Sequence, residues 1–315
     1  MINTGKAVDK LGVPTCAPGC CDSFLPGARR GRPIAPIAVP GQAWRAGWRW
    51  PRRLAGVVCA VWLVAAALPA AAQTPVDLEL VLAVDVSLSM DIDEQHLQRD
   101  GYVSAFRDAE VQKAILSGPS GRIAVTYVEW AGPQSQQVVV PWTVIDSAAA
   151  ANALADQLDT TPISRARMTS ISGALQFAHG LFASSGVKGI RRAIDVSGDG
   201  PNNAGGPVNV VRDQVVADGI VINGLPLVLK TPGSFFDHPH LDQYYTECVI
   251  GGTGAFMIPV RDRAEFRTAT RRKLLLEISG APVAARIVPA QNPVPGDGDA
   301  CMAGERTWRR YFDSP

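Results

Sequence analysis

The sequence predicts an α/β fold, a doubly wound and mostly parallel six-stranded sheet with helices on both faces. Short apolar runs alternate with stretches of helical length, which is typical of strands that are joined by crossover helices. The first run, at residues 78–84, is almost entirely apolar, as expected of a strand that is covered on both faces. Polar side chains follow the first and fourth runs, where a sheet of this type has its ligand-binding crevice.

The first half of the domain is predicted to contain a strand, a long helical stretch and a strand pair. Asp91, Asp93 and Glu94 indicate the start of the helical stretch, because a helix dipole favours negative charge in its first turn. The short link between the second and third strands predicts a hairpin, and Pro141 favours an edge position for the third strand. The predicted ranges are 76–85, 91–116, 122–130 and 137–142.

The second half alternates helices with three further strands. Gly219 is expected to end the helix before it, since glycine tolerates the left-handed conformation found after many helices. With the strand order 3-2-1-4-5-6, the crevice lies between strands one and four. The predicted helices cover 147–158, 170–182, 208–218, 241–248 and 262–278, and the predicted strands cover 192–197, 220–228 and 255–260.

Residues 45–72 have the features of a secretory signal peptide. Four arginines precede a 15-residue apolar stretch, and a run of three alanines that ends at Ala72 offers cleavage before Gln73. The apolar stretch is short for a membrane span. We therefore expect cleavage near Ala72 and a periplasmic or secreted protein without a stable span, with an uncleaved anchor as the alternative.

Four segments follow from these patterns. The first 72 residues hold 9 of the 30 basic and 2 of the 29 acidic residues, so the remaining 243 residues carry a net charge of −6. Such an acidic chain lacks the basic face that nucleic-acid binding needs. The expected segments are an N-terminal extension at 1–44, the signal peptide at 45–72, the folded domain at 76–280 and a flexible tail at 281–315. The N-terminal extension is expected to be either disordered or the result of a misplaced translation start.

Two of the six cysteines, Cys248 and Cys301, remain after cleavage near Ala72. An oxidising compartment would allow them to pair. The alternative is a packed core thiol at Cys248 with Cys301 in a loose tail, and the sequence leaves the choice open.

Three separate pieces of the chain carry side chains that suit one metal site. Asp85, Ser87 and Ser89 follow the first strand, Thr169 precedes a helix, and Asp199 follows the fourth strand. Two carboxylates and three hydroxyls form an all-oxygen ligand set, which suits Mg²⁺, Mn²⁺ or Ca²⁺ and suits Zn²⁺ poorly. Because strands one and four are neighbours in the predicted sheet, we expect these side chains to meet.

These motifs resemble those of the von Willebrand factor type A domain, which has a Rossmann-like fold. The first piece has the pattern Asp-x-Ser-x-Ser, Thr169 stands five residues before an Ala-Leu pair, and Asp199 is followed by glycine. The resemblance covers about residues 76–280 and implies a metal-ion-dependent adhesion site at these five positions. It further implies that Ser87, Ser89 and Thr169 ligate the ion through hydroxyls and that the aspartates act partly through water. One coordination position of the ion would stay open for a partner's carboxylate.

Three stretches are also similar to a bacterial exported family known as domain of unknown function 1194, namely residues 121–130, 195–203 and 244–256. That resemblance implies a fold and a site but no established activity. Leu88 departs from the glycine that many type A domains have at this position. It is not a ligand position, and a bulky side chain there offers an apolar contact to a partner.

The sequence therefore predicts an exported, divalent-cation-dependent protein-binding module and not an enzyme. The expected partner is a protein that offers an acidic side chain. A metal-assisted hydrolase is one alternative, but Ser87 lacks the Gly-x-Ser-x-Gly context and the evident histidine of a serine nucleophile. A scaffold with a degenerate metal site is the other alternative.

Asp195 lies inside the fourth apolar run, where a buried acid must be paired or hydrogen-bonded. A structural ion pair is expected there rather than a catalytic role, since structural networks also perturb acids. The candidate partners are Arg122, Arg191 and Arg192.

The segment around His238 and His240 is expected to be a polar surface loop rather than a zinc site, because too few ligands accompany the two histidines. Phe235 and Phe236 beside it are either partner-binding aromatics or a lid on the sheet, and the sequence does not decide between these.

Overall fold

Five strands form the central sheet, in the order β3-β2-β1-β4-β5. β3 runs antiparallel to β2, and all other neighbours are parallel. The structure is a computed structural model that describes residues 73–230, 238–280 and 300–313. It confirms the predicted doubly wound α/β fold and the predicted order of the first five strands. The strands are β1 (Thr74–Asp85), β2 (Ile123–Trp130), β3 (Gln136–Ile145), β4 (Val187–Gly198) and β5 (Val221–Pro226).

The sixth strand that the sequence predicts at residues 255–260 is not confirmed. This segment lies beside β5 but makes only isolated bridges, from Gly224 to Met257 and from Leu227 to Val260. Pro226 of β5 has no N–H to donate across to this segment, whereas Gly224 and Val228 on either side of it donate to the carbonyls of Phe256 and Val260.

Helices cover both faces of the sheet, and alternate side chains of β1 reach opposite cores. Leu80 and Leu82 pack in the core under α1, α2, α3 and α7, whereas Val81 and Ala83 pack in the core under α4, α5 and α6. The helices are α1 (Ile92–Arg107), α2 (Ala109–Leu116), α3 (Ala148–Thr160), α4 (Ile171–Leu181), α5 (Val208–Ala217), α6 (Leu241–Tyr244, continued by a π-helical turn at Tyr245–Val249), α7 (Phe266–Ser279) and α8 (Ala303–Asp313).

The helical stretch predicted at residues 91–116 is two helices rather than one. Asp108 separates them and caps α2, because its Oδ1 accepts hydrogen bonds from the N–H groups of Glu110 and Val111 at 2.9 and 3.1 Å. A capping box formed by Asp91 and Glu94 begins α1 at the predicted position.

The C-terminal segment differs from the flexible tail that its Pro and Gly content suggests. Residues 281–299 lie outside the described ranges, but Ala300–Met302 forms a 3₁₀ turn and α8 follows it. A disulfide joins Cys248 to Cys301. Of the two alternatives that the sequence leaves open for these cysteines, the structure therefore has the paired one.

The buried Asp195 has a different partner from those predicted. Lys273 on α7 places its Nζ 2.5 Å from Asp195 Oδ1, because α7 packs across this face of the sheet. Among the arginines that the sequence suggests, Arg191 instead donates to the carbonyls of Glu277 and Ile278 at 2.8 and 2.7 Å. The structural ion pair is present, but its base is a lysine that lies 78 residues further along the chain.

Across the described parts of the chain, no helix combines the length and the apolar content needed to cross a lipid bilayer.

Candidate metal site

The carboxyl ends of β1 and β4 bring the two predicted aspartates together. Asp85 is the last residue of β1, and Asp199 directly follows the last residue of β4. The strands are parallel neighbours, with Val84 opposite Ser197, so both carboxylates reach the same edge of the sheet. Both side chains are buried, at 0% and 3% relative exposure.

A chain of hydrogen bonds connects four of the five predicted ligands. The N–H of Ser87 donates to Asp85 Oδ1 at 2.7 Å, and the hydroxyls of Ser87 and Ser89 lie 2.7 Å apart. The Ser89 hydroxyl donates in turn to Asp199 Oδ1 at 2.7 Å. The Asp-x-Ser-x-Ser loop is therefore folded back on itself, with its oxygens in one cluster.

Thr169 reaches the same cavity by a different route. The segment before it pairs with the first loop, since the N–H of Leu88 donates to the carbonyl of Ala166 at 2.9 Å. Asn203 then holds Thr169 from the other side, accepting from its N–H at Oδ1 and donating its own N–H to the Thr169 carbonyl, both at 2.8 Å. Thr169 is 3% exposed and lines one cavity together with Ser87, Ser89 and Asp199.

Met168 precedes Thr169 in a strained backbone conformation. Its φ of 71° lies in the left-handed region, which side chains other than glycine rarely adopt. This conformation costs on the order of 1–3 kcal/mol and persists only where its surroundings enforce it. Here it leaves the Met168 side chain 39% exposed on the wall of the cavity.

A buried glutamine fastens the strand ends beneath the site. Gln98 on α1 donates to the Asp85 carbonyl at 3.0 Å and accepts from the Ser197 hydroxyl at 2.8 Å. One side chain therefore ties the end of β1 to the end of β4. Nothing local in the sequence distinguishes Gln98 from other polar residues of an amphipathic helix, so no sequence motif predicts this role.

The electrostatics of the site compensate the charge of Asp85 only in part. Burial raises the pKa of Asp85 well above its usual range, and the charge of Asp199 raises it further. Hydrogen bonds from Ser87 and from the backbone of Asp199 act in the opposite direction but do not offset these effects. Burial also raises the pKa of Asp199, against the opposing influence of Lys230 and Ser89. Asp85 Oδ2 is fully buried and has no hydrogen-bond partner among the described residues.

The donor set fits a hard divalent cation. A buried carboxylate oxygen without a partner is costly unless a cation or a donor reaches it. The surrounding donors are all oxygens, which is the ligand type that Mg²⁺, Mn²⁺ and Ca²⁺ prefer. No group of three or more His, Cys, Asp or Glu side chains suited to a metal occurs in the described residues, so a site here depends on the hydroxyls of Ser87, Ser89 and Thr169.

Lys230 already supplies one positive charge at this edge of the sheet. Its Nζ lies 2.9 Å from Asp199 Oδ2 and 3.1 Å from Glu94 Oε2, and it donates to the Ser89 carbonyl at 2.5 Å. Burial opposes the charged form, but the carboxylates of Asp199 and Glu94 outweigh it and raise the pKa of Lys230. The sequence analysis misses Lys230, which lies 31 residues beyond Asp199 and carries no motif.

The cavity above these oxygens has a volume of about 600 Å³. Its wall includes Leu88 and Arg167 beside the site, and Trp308 from α8. His238 also lines it, so this histidine faces the site rather than a separate surface loop. Phe235 and Phe236 lie outside the described residues.

The fold and this cluster together form a doubly wound α/β domain with a candidate cation site at the carboxyl edge of its sheet. The chain belongs to the family described as "Protein of unknown function (DUF1194)", whose model matches residues 75–282. No protein with a curated description matches the sequence significantly.

Solved structures that match this chain include a thread matrix protein and a pilus adhesin. Proximal thread matrix protein 1 from the mussel byssus is 14% identical over 66% of this chain and 49% of its own, with a TM-score of 0.48. The pilus adhesin SpaC from Lactobacillus rhamnosus GG is 11% identical over 66% of this chain and 32% of its own, with a TM-score of 0.49. This chain thus spans about half or less of these proteins, and likenesses at this level concern the fold alone.

A third similar structure is the von Willebrand factor type A protein from Catenulispora acidiphila. It is 13% identical over 64% of this chain and 43% of its own, with a TM-score of 0.44. Another structure of the mussel protein has a zinc-occupied MIDAS motif, and it is 12% identical over 66% of this chain and 50% of its own, with a TM-score of 0.45.

Proposed function

We propose that this protein is an exported module that binds a protein partner through a divalent cation. The observation that carries the proposal is the buried Asp85 Oδ2, which has no hydrogen-bond partner among the described residues, on a carboxylate whose Oδ1 accepts from the N–H of Ser87. A bound cation would satisfy this atom and offset the charge of Asp199 beside it.

In this proposal, Asp85, Ser87, Ser89, Thr169 and Asp199 hold the ion. Mg²⁺ is the preferred candidate, with Mn²⁺ or Ca²⁺ as close substitutes. The ion supplies a local positive field that attracts a carboxylate from the partner, although the chain after residue 72 is acidic overall. The cavity over the cluster gives such a carboxylate access to the ion. We assign no catalytic role to any residue.

Export is the second part of the proposal. The basic and apolar segment at residues 45–72 would direct secretion and be removed near Ala72, leaving the folded domain and the C-terminal segment. The disulfide between Cys248 and Cys301 supports this, because disulfides persist in oxidising compartments such as the periplasm.

Removing the unpaired carboxylate tests the metal site. Asp85→Asn keeps the shape of the side chain but replaces a charged ligand, so we expect Mn²⁺ affinity to fall by at least about 100-fold, the order expected when a directly charged contact is lost. Metal-free stability should not fall, because the native chain buries this carboxylate with only partial compensation. Calorimetric titration with Mn²⁺ and thermal unfolding in a chelator measure the two effects.

Asp156→Asn is the matched control, since Asp156 is an exposed aspartate on α3 that pairs with Arg107 and is not among the residues that line the cavity. It removes the same charge and should leave Mn²⁺ binding unchanged. Equal Mn²⁺ binding by the parent and by Asp85→Asn, or no binding by the parent, would contradict the proposed function.

A further inference from the structure

The C-terminal helix α8 forms one wall of the cavity above the candidate metal site. Gly304, Thr307 and Trp308 line this wall, and Ser87 and Asp199 lie in the same cavity. The whole cavity, at about 600 Å³, is within the range of roughly 300–1,000 Å³ that ligand pockets occupy. The described chain therefore surrounds its oxygen cluster with a pocket rather than presenting it on a flat surface.

The position of α8 is fixed by three independent contacts with the body of the domain. The disulfide from Cys301 to Cys248 anchors the residue two positions before the helix. Glu305 is 8% exposed, and its Oε1 accepts from Asn202 Nδ2 at 2.6 Å. Gly304 approaches Asn202 so closely that a Cβ atom there would stand 2.1 Å from the Asn202 carbonyl oxygen.

Asn202 connects α8 to the loop that carries the candidate ligands. Its Oδ1 accepts from the N–H of Ser172 at 2.9 Å, and its own N–H donates to the Tyr244 hydroxyl at 3.1 Å. Asn202 also lies between Asp199 and the Asn203 that holds Thr169. Asn202 is thus the residue at which the α8 wall and the metal-site loop meet.

The pocket combines two kinds of recognition chemistry. At its base lie the oxygens of the candidate metal site, and Arg167 adds a positive charge to its lining. Its walls carry large apolar side chains, with Leu88 47% exposed and Met168 39% exposed, and Trp308 completes this apolar lining. Exposed apolar groups around a polar base are typical of a site that binds a charged group together with an apolar neighbour.

We propose that this pocket selects an acidic side chain that stands next to an apolar side chain on an extended segment of a protein partner. The metal takes the carboxylate, and Leu88, Met168 and Trp308 bury the apolar neighbour. This inference rests on the proposed function, because it requires the metal. It goes further in making α8 the element that determines specificity.

Capped tripeptides test this selection directly. In saturating Mg²⁺, Leu-Asp-Leu should bind more tightly than Gly-Asp-Gly by at least about fivefold, since the two leucines add apolar contact area at the flanks. Leu-Asn-Leu, which lacks the carboxylate, should not bind. The readout is the ¹⁹F resonance of Trp308 in protein that contains 5-fluorotryptophan, assigned with Trp308→Phe.

Gly304→Ala isolates the contribution of α8. The added methyl meets the Asn202 carbonyl, so the helix must shift and the fivefold preference for leucine should disappear. Mn²⁺ affinity should stay within about twofold, because none of the five candidate ligands lies on α8. Gly180→Ala is the matched control, because a Cβ at this helical glycine of α4 meets no atom within 4 Å. It should change neither quantity.

The outcomes separate this inference from the proposed function. Mn²⁺ binding with equal affinity for the two aspartate peptides, or without any response of Trp308, overturns the selective pocket and leaves the metal-dependent module intact. Retention of the leucine preference in Gly304→Ala overturns the role of α8. Absence of Mn²⁺ binding to the parent protein overturns both proposals.

Discussion

Lys230 shows how a single residue can set the affinity of a metal site without being a ligand. Its ammonium group contacts Asp199, which the proposed metal also needs, and Glu94 at the start of α1. A divalent ion and an ammonium group near one carboxylate repel each other, and at an effective dielectric constant of 20 each pair of unit charges 4 Å apart contributes about 4 kcal/mol to this repulsion. Lys230 therefore stabilises the metal-free site and opposes the loaded one.

Replacing this lysine should strengthen metal binding and weaken the metal-free fold. In Lys230→Met, we expect Mn²⁺ affinity to rise by about tenfold or more, because Asp199 no longer shares its charge with an ammonium group. Without metal, Asp199 and Glu94 lose their shared cation, and the free energy of unfolding should fall by about 1–3 kcal/mol. Calorimetry and urea unfolding in a chelator measure the two changes.

Lys188→Met is the control for net charge, since Lys188 is an exposed lysine on β4. If it raises Mn²⁺ affinity as much as Lys230→Met does, the effect is a general one of surface charge and Lys230 has no specific role. Unchanged affinity in both variants would show that the ammonium group leaves Asp199 when metal binds.

At the scale of elements, a buried charge network joins α7 to the sheet. Lys273 on α7 contacts Asp195 of β4 and Glu277 one turn further along its own helix. Tyr102 of α1 donates to Asp195 at 3.3 Å, and Asn223 of β5 donates to Glu277 at 3.1 Å. Asp195 and Glu277 thus share one ammonium group in the core. When both acids are ionised, the network carries one excess negative charge.

This excess charge makes the stability of the fold depend on pH. Burial, together with the neighbouring Asp195, raises the pKa of Glu277 from 4.5 to about 7 despite the opposing Lys273. The folded state therefore holds the proton more tightly than the unfolded state. The resulting stabilisation is fully present below about pH 4.5 and is lost as the pH rises through about 7.

Glu277→Gln should remove this pH dependence, because an amide keeps the shape and the acceptor oxygen without ionising. Between about pH 5 and pH 7.5, the parent should lose on the order of 2 kcal/mol of unfolding free energy relative to the variant. Urea unfolding of both proteins across this range gives the difference, from which the titration of groups that do not interact with Glu277 cancels. Parallel curves for the two proteins would show that Glu277 does not titrate in this window.

The elements also show what sequence patterns can and cannot predict. β1 and β4 were predictable because their apolar runs are local, and their neighbouring positions placed Asp85 beside Asp199. The segment at residues 255–260 has the same apolar character, but it makes only isolated bridges to β5, where Pro226 has no N–H to donate across to it. Apolar runs indicate burial, whereas pairing also depends on the donors that each residue has.

The parts of the site that sequence reasoning missed come from distant segments. Lys230, Gln98 and Trp308 reach the site or its supports from loops or helices that carry no recognisable motif, and only packing brings them there. Cys301 and Gly304 were within a segment whose Pro and Gly content predicts a flexible tail. Composition averages over a segment, so it cannot reveal that one disulfide and one close helix contact order part of it.

For the whole molecule, the proposed activity has two parts, metal binding and partner selection, and the C-terminal segment contributes only to partner selection. The candidate metal ligands lie on loops after β1 and β4 and before α4, and these loops belong to the sheet and its cores. The selective wall belongs to α8, an 11-residue helix that an isolated chain would barely form in water. Only contacts with the domain keep this helix in place, and the disulfide is the covalent one.

Removing the disulfide should therefore release α8 and leave the candidate metal site intact. The 53-residue separation of Cys248 and Cys301 corresponds to about 4 kcal/mol of loop-closure free energy. In the double variant Cys248→Ala and Cys301→Ala, we expect α8 amides to exchange hydrogen at nearly the rate of unstructured chain, while β1 and β4 amides stay protected. Hydrogen exchange followed by mass spectrometry resolves these segments.

The same double variant also tests whether partner selection depends on a fixed α8. Mn²⁺ affinity should stay within about twofold of the parent, since no candidate ligand lies on α8. Leu-Asp-Leu should bind no better than Gly-Asp-Gly, because the apolar wall is no longer fixed. Loss of protection in β1 and β4 would mean that the disulfide supports the entire domain. Full protection of α8 would mean that the Gly304 and Glu305 contacts hold the wall without it, and the disulfide would then have no part in selecting the partner.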